Sequence, residues 1–161
     1  MKKLIFLAVL VCACFFACGE TSQNETDETF FMTLSVRADM LLSDMDLLDR
    51  EKHELIPNDG VIFHETEIIF TAGESVFDVL QREMRNAGIH MAFRRPPMLD
   101  SVYIGAINNI YEFDAGALSG WVYRVNGEVP TISASMYFLQ PNDFVEWLYT
   151  LDLGRDIGAD E

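Results

Sequence analysis

The chain has 161 residues, half of them apolar, and carries 26 acidic against 11 basic side chains, a formal net charge of −15. A negative charge of this size repels nucleic acid and anionic lipid headgroups, so neither is an expected partner. The length suffices for one domain around one hydrophobic core, and a monomer is expected.

The first residues of the chain predict export. Two lysines precede an apolar run over residues 4–16, which is too short to cross a bilayer but typical of a signal peptide. Because the run leads into the pattern Ala-Cys-Gly, we predict a lipoprotein signal peptide over residues 1–17 and lipidation of Cys18. The protein would then be held on the extracytoplasmic face of a bacterial cell membrane. Cleavage before Cys14, or a plain secretory signal without lipid, are the alternatives.

The remaining cysteine usage and composition set the domain organisation. All three cysteines lie within the first 18 residues, so the rest of the chain has no disulfide and no thiolate metal site. Residues 18–29 are polar and acidic and predict a disordered tether. A single domain is expected over residues 30–158, followed by a short tail over residues 159–161.

Hydrophobic patterning predicts an α+β fold in which a mixed sheet packs on one main helix. Ser75 and Asp78 form a capping-box start, apolar residues follow at helical spacing, and Gly88 ends the helix. Residues 40–54, rich in Leu and Met, predict a short helix or an ordered loop. Strands are expected at residues 31–36, 101–107, 111–113, 121–125 and 144–150, and residues 61–71 predict a strand or a strand pair. Residues 137–139 lead into a turn at 140–143.

The strand at residues 121–125 is expected to end in a tight turn. Trp121, Tyr123 and Val125 alternate with polar or smaller residues and should share one face. Asn126-Gly127 follows directly, and this pair is a strong signal for a two-residue type I′ turn.

Two stretches of the sequence, EFDAGALSGWVYRVNG at 112–127 and DFVEWLYTLDLGRDIG at 143–158, resemble the DUF4430 family. This family is the transcobalamin-like C-terminal domain of bacterial surface lipoproteins. The resemblance extends from about Phe31 to Gly158 and implies a β-grasp-like fold similar to the transcobalamin β-domain. Many members carry cysteines at four places, which correspond here to Ala38, Ala115, Ala134 and Leu151. The resemblance therefore implies that apolar packing replaces those cross-links.

The sequence offers no arrangement of catalytic or metal-binding residues. The three histidines are scattered at positions 53, 64 and 90, and none has the spacing of a zinc helix. Ser119 lies near two glycines but lacks the spacing of a nucleophile elbow. We therefore expect a binding protein without enzymatic activity, cofactor or metal.

Aromatic residues in the second half of the domain predict a ligand site. Trp and Tyr offer a flat apolar face and one polar group, which suits an amphipathic ligand. Trp121 follows a Gly-rich turn, so we expect its ring to be exposed, with packing in the core as the alternative. The predicted ligand-binding residues are Ser119, Gly120, Trp121, Tyr123, Tyr111 and Tyr137.

The family resemblance also suggests what the site holds. In the related cobalamin carriers this region faces the corrin, which implies cobalamin or a related corrinoid as a possible ligand. The partners expected are thus a membrane, through Cys18, and either a small molecule or an envelope protein. The alternative function is a surface domain whose aromatic edge meets a protein or a glycan.

Overall fold

The computed structural model describes residues 28–97 and 101–159. These residues form β1 (Thr29–Arg37), β2 (Val61–Thr71), α1 (Val76–Asn86), β3 (Met91–Arg94), β4 (Tyr103–Ile107), β5 (Ile110–Tyr111), β6 (Gly120–Val125) and β7 (Phe144–Thr150). Short 3-10 segments lie at Asp39–Ser43, Met45–Leu47, Arg50–Leu55 and Arg155–Ile157. The predicted signal peptide, the predicted lipidation site Cys18 and most of the predicted tether lie outside the described residues.

The main sheet has the strand order β2-β1-β7-β6. β1 is antiparallel to β2 and parallel to β7, and β6 is antiparallel to β7, so the sheet is mixed. The predicted α+β fold, with a mixed sheet and one main helix, is confirmed. A second, antiparallel sheet has the order β3-β4-β5. The sequence does not predict this sheet as a unit, because β3 and β5 are too short to show a period.

One face of the main sheet and one stripe of α1 share a single core. Alternate residues of β6 are buried, which confirms the predicted common face of Trp121, Tyr123 and Val125. The capping box of α1 is present: the Ser75 hydroxyl accepts from the Asp78 amide at 3.2 Å, and the Asp78 carboxylate accepts from the Ser75 amide at 3.0 Å. The buried residues of α1 are Val76, Phe77, Val79, Leu80 and Met84.

The Leu- and Met-rich segment after β1 forms three 3-10 segments rather than an α-helix. Asp44, between the first two segments, has a non-helical φ of −137°, and Leu48, after the second, is extended. Because the segments are only three to six residues long and are separated by non-helical residues, Leu41 and Leu48 can both reach the core. Of the two predicted alternatives, a short helix or an ordered loop, the structure shows the ordered loop.

The start of the domain and the positions of the expected cysteine replacements agree with a packed core. β1 begins at Thr29, inside the predicted tether, because this residue pairs with Thr71 at the end of β2. Ala38, Ala115 and Ala134 are all buried, and Leu151 packs against the core. Small or apolar side chains thus fill these four places.

The turn after β6 has the predicted geometry. Asn126 has a φ of +52° and Gly127 a φ of +90°, as a type I′ turn requires. Val125 and Glu128 exchange both backbone hydrogen bonds across the turn, at 2.8 and 3.0 Å. The Asn126 side chain also accepts from the Phe144 amide at 2.8 Å, so the turn orients the start of β7. The turn therefore bonds the end of β6 to Glu128 and to the start of β7.

We predict that Gly127→Val lowers the free energy of unfolding by about 1–3 kcal/mol. A side chain at Gly127 would meet no atom within 4 Å, so the loss arises from backbone strain at positive φ and not from a clash. Urea denaturation measures it. Glu128→Val is the control, because it adds the same side chain next to the strained pair, and an equal effect of both variants would contradict the strain argument.

Candidate functional site

A groove lies along the seam between β4 and β6, and it consists of two recesses that share Tyr103, Trp121 and Val122. The first recess has a volume of about 180 Å³ and is also lined by Val102, Ile104, Tyr123, Trp147 and the segment 130–134. The second recess has a volume of about 240 Å³ and is also lined by Phe113, Leu118, Ser119, Gly120, Thr150 and Leu153. Both recesses open to solvent, so a ligand could enter without a change of fold.

The groove brings together four of the six predicted ligand-binding residues. Ser119, Gly120, Trp121 and Tyr123 line it, whereas Tyr111 and Tyr137 do not. Tyr137 stands edge-on behind Tyr123, with ring centres 6.2 Å apart, and the Tyr111 ring is exposed on β5.

The expectation that the Trp121 ring is exposed is wrong. Its exposed fraction is 9%, its indole N–H donates to the Ile110 carbonyl at 2.8 Å, and its ring packs edge-on against Tyr149 at 5.3 Å. The ring is buried because the outward direction of β6 is taken by Val122 and Arg124. Trp121 therefore forms the floor of the groove, with little of its surface accessible.

A buried hydrogen-bond network holds the Gly-rich turn against this floor. The Tyr149 hydroxyl donates to the Tyr111 carbonyl at 2.8 Å and lies 3.0 Å from the Ser119 hydroxyl oxygen. The Ser119 hydroxyl in turn accepts from the Ala115 amide at 3.1 Å. Burial raises the pKa of Tyr149 above its usual value, so its hydroxyl stays protonated. Ser119 is thus a structural residue of the turn as well as part of the groove lining.

The first recess contains a buried polar group without a partner. The Trp147 indole N–H makes no hydrogen bond to any of the described residues, although the side chain is almost fully buried. Trp147 lines the recess beside Tyr123, with ring centres 5.5 Å apart. A buried N–H without an acceptor destabilises a fold by about 1–3 kcal/mol. Trp147 therefore combines a place in the lining of the recess with a buried donor that has no partner among the described residues.

The lip of the second recess is apolar and strained. Phe113 and Leu153 are each 58% exposed, with φ values of +68° and +53°. Bulky side chains rarely adopt this left-handed conformation, which is unfavourable by about 1–3 kcal/mol per residue. Two backbone bonds maintain it: the Phe113 amide donates to the Ser119 carbonyl at 3.0 Å, and the Leu153 amide to the Leu118 carbonyl at 2.9 Å. Strain of this kind concentrates at functional sites.

A charged cluster borders the groove at Tyr103. Its hydroxyl donates to the Glu112 carboxylate, which also pairs with Arg94 at 2.7 Å, and the Arg94 guanidinium stacks on the Tyr103 ring at 4.2 Å. Burial and the bond to Glu112 raise the pKa of Tyr103 to about 12. Burial alone would raise the pKa of Glu112, but the hydrogen bonds from Tyr103 and Arg94 lower it overall. The rim therefore presents a neutral hydroxyl beside a neutralised ion pair.

Sequence reasoning misses the residues that form the lip and the rim. Tyr103 lies on β4, Phe113 and Leu118 lie in the loop between β5 and β6, and Leu153 follows β7, so only the fold brings them to one groove. No local pattern marks a positive φ at a Phe or a Leu. The signal available in the sequence is the high aromatic content of the second half of the domain. This content points to Phe113 but does not show that Phe113 forms the lip of the groove.

Other kinds of site are absent from the part of the chain that the structure describes. No group of three or more His, Cys, Asp or Glu side chains within residues 28–97 and 101–159 could hold a metal ion. Over the same residues, no helix has the length and hydropathy needed to cross a bilayer.

The fold and the groove define a small α+β domain with an open, aromatic surface site. Residues 73–150, from the turn before α1 to the end of β7, match the model of DUF4430, described as a domain of unknown function. Over these residues the match confirms the resemblance to this family that the sequence shows. No match was found among curated protein sequences.

Two solved structures are similar to this chain. Haptocorrin in complex with Cbi superimposes with a TM-score of 0.56 at 14% identity, over 77% of this chain and 25% of the haptocorrin chain. This likeness confirms the expected transcobalamin-like fold, and the chain spans about a quarter of that protein. A protein from Ruminococcus gnavus ATCC 29149, described as a possible metal-binding protein, gives a TM-score of 0.44 at 15% identity, over 75% of this chain and 96% of that chain.

We predict that Trp121→Ala lowers the free energy of unfolding by about 3–5 kcal/mol, because it leaves a cavity in the core. It also leaves the Ile110 carbonyl without its donor. Urea denaturation measures the loss. Tyr111→Ala, which removes an exposed ring from the neighbouring strand, is the control and should change stability by less than about 1 kcal/mol. A Trp121 variant as stable as this control would contradict the buried position.

Proposed function

We propose that this protein is a membrane-anchored extracytoplasmic lipoprotein whose DUF4430 domain binds a small amphipathic solute in the groove between β4 and β6. The function is one of binding and not of catalysis. The Trp147 indole N–H, which has no partner among the described residues, carries the proposal, because a ligand acceptor that reached it would make a directional contact that an apolar surface alone lacks.

The two recesses suggest how such a ligand lies. Its apolar part would cover the second recess and contact Phe113, Leu118 and Leu153, which are exposed around it. A carbonyl or similar acceptor would reach the Trp147 N–H in the first recess. Burial of the exposed lip supplies a hydrophobic driving force of roughly 25 cal/mol per Å² of apolar surface. The ligand would therefore be amphipathic, with one acceptor placed toward Trp147.

A corrinoid is one candidate ligand, and the haptocorrin complex with Cbi supports it by fold alone. The recesses, at about 180 and 240 Å³, are too small to enclose a molecule of that size, which would lie across the groove. Because this chain spans about a quarter of haptocorrin, the domain would supply one wall of such a site. A smaller amphipathic solute would fit the groove without a second wall.

An interaction with an envelope protein or a glycan is the alternative function, and the exposed lip favours it. Phe113 and Leu153 project far enough for a second surface to cover them. A surface of that kind would contact the lip but would not need the Trp147 N–H. The two functions therefore depend on different parts of the groove.

We predict that Phe113→Asn weakens binding of the solute about tenfold or more while leaving the domain as stable or more stable. Asn tolerates positive φ, so the change removes the apolar contact and relieves strain at once. A thermal-shift screen that includes cobinamide and cobalamin identifies the ligand, and calorimetric titration measures the affinity. Phe138→Asn is the matched control, since Phe138 is 59% exposed but lies outside the groove.

The same titration separates the two functions. Trp147→Phe keeps an aromatic ring but removes the N–H together with part of the indole, so it should weaken binding of a small solute that carries an acceptor, and its melting temperature shows what the smaller ring costs the fold. If the Phe113 and Phe138 variants bound the solute with equal affinity, the groove would not be the binding site. A partner that depends on Phe113 but is insensitive to Trp147→Phe would favour the interaction surface.

The membrane anchor rests on the sequence around Cys18. Two acyl chains on a lipidated cysteine would each bury many methylene groups, at about 0.8 kcal/mol per group, which is enough for stable attachment. The first strand begins at Thr29, so at most about ten residues would separate the lipid from the fold. This distance would keep the domain close to the outer surface of the membrane.

We predict that Cys18→Ala abolishes membrane attachment, because the side chain that accepts the lipid is gone. Fractionation of cells that express the variant should find the protein in the medium or retained with an uncleaved leader. Cys14→Ala serves as the control and should stay with the membrane. A Cys18 variant that is processed and still sediments with membranes would contradict lipidation at this position.

A further inference from the structure

A second cleft lies on the outer face of the main sheet, away from the groove. It forms where β2 bulges: the pairing passes from Leu34–Thr66 to Val36–Phe63, so β2 has one residue more than β1 over this interval. The cleft has a volume of about 260 Å³ and is lined by Ser35, Arg37, Val61, His64 and Glu65. Bulges are common beside binding and active sites, because they redirect side chains and open the ladder.

Two buried donors in this cleft have no partner among the described residues. Ser35 is only 1% exposed, and its hydroxyl makes no hydrogen bond. The Nε–H of Arg37, two residues along the same face of β1, is buried and equally without an acceptor. Folded proteins leave few such groups unsatisfied, and two of them in one cleft indicate that an acceptor enters from outside.

The charges around the cleft determine which acceptor it favours. Arg37 already pairs with Asp39 through Nη2 at 2.7 Å, so its positive charge is neutralised beside the free Nε–H. Glu65 lines the cleft. Glu146 on β7 is the residue beside Ser35 in the sheet register, and the charge of Glu146 is matched by Arg124 at 2.7 Å. An anion would therefore meet the Glu65 carboxylate, while the charges of Arg37 and Arg124 are already matched by Asp39 and Glu146. A neutral oxygen that can also donate a hydrogen bond avoids that repulsion.

We propose that this cleft binds a small neutral ligand rich in hydroxyl groups, namely a monosaccharide unit. One ligand oxygen accepts from the Arg37 Nε–H and from the Ser35 hydroxyl. A neighbouring hydroxyl donates to the Glu65 carboxylate, and His64 borders the same opening. The site is independent of the groove between β4 and β6, since the two share no lining residue.

Backbone amide chemical shifts of the domain test the proposal with two probes. N-acetylglucosamine is the neutral probe, and sodium acetate, at ionic strength matched with sodium chloride, is the anionic one. We expect the sugar to shift the amides of Ser35, Arg37 and Glu65 in a saturable manner and acetate to leave them unchanged. Ser35→Ala should weaken the sugar response at least tenfold, whereas Thr33→Val, on the same face of β1, should not.

A second measurement needs no ligand. Because the Ser35 hydroxyl makes no bond inside the fold, Ser35→Ala should leave the melting temperature unchanged or raise it. A clear fall would mean that Ser35 bonds within the protein, which overturns the proposal. Saturable shifts with acetate alone would overturn the neutral ligand class. Shifts with neither probe would mean that water satisfies both donors and that the cleft is not a binding site.

Discussion

The parallel pairing of β1 with β7 is the constraint on which the structure depends. It joins Thr33–Arg37 to Phe144–Leu148 and places the first and last strands side by side in the centre of the sheet. β2 and β6 can then add only at the outer edges, and β6 meets β4 of the second sheet. The groove between β4 and β6 and the cleft at the bulge of β2 both follow from this order. The matched DUF4430 region, residues 73–150, contains β7 but not β1.

The two sites share one physical property: each contains strained backbone or buried donors without a partner, in contrast to the rest of the described fold. At the groove, Phe113 and Leu153 hold strained backbone conformations, and the Trp147 N–H has no partner among the described residues. At the bulge, the Ser35 hydroxyl and the Arg37 Nε–H have none among the same residues. Elsewhere the helix is capped and its apolar stripe is buried. Folds tolerate such local departures mainly where another requirement, such as ligand binding, offsets them.

The sequence predicts the regular elements well because their signals are local. The capping box at Ser75, the alternation in β6 and the turn at Asn126-Gly127 each depend on a few neighbouring residues, and all three are confirmed. The exposure of Trp121 fails because a Gly-rich turn permits close approach but does not say which face of the next strand is covered. The lip, the rim and the bulge arise from residues far apart in the chain, which no single-sequence period connects.

The central position of β1 has a consequence for how the protein is made. Of the described strands β1 is synthesised first, yet its partner β7 is completed only at Thr150, more than one hundred residues later. Until then β1 lacks its partner on one edge, and contacts so distant in sequence form slowly. For the exported protein that we propose, this delay would be useful, because a translocation channel accepts unfolded polypeptide. The topology would then keep the chain competent for export until its last strand had crossed.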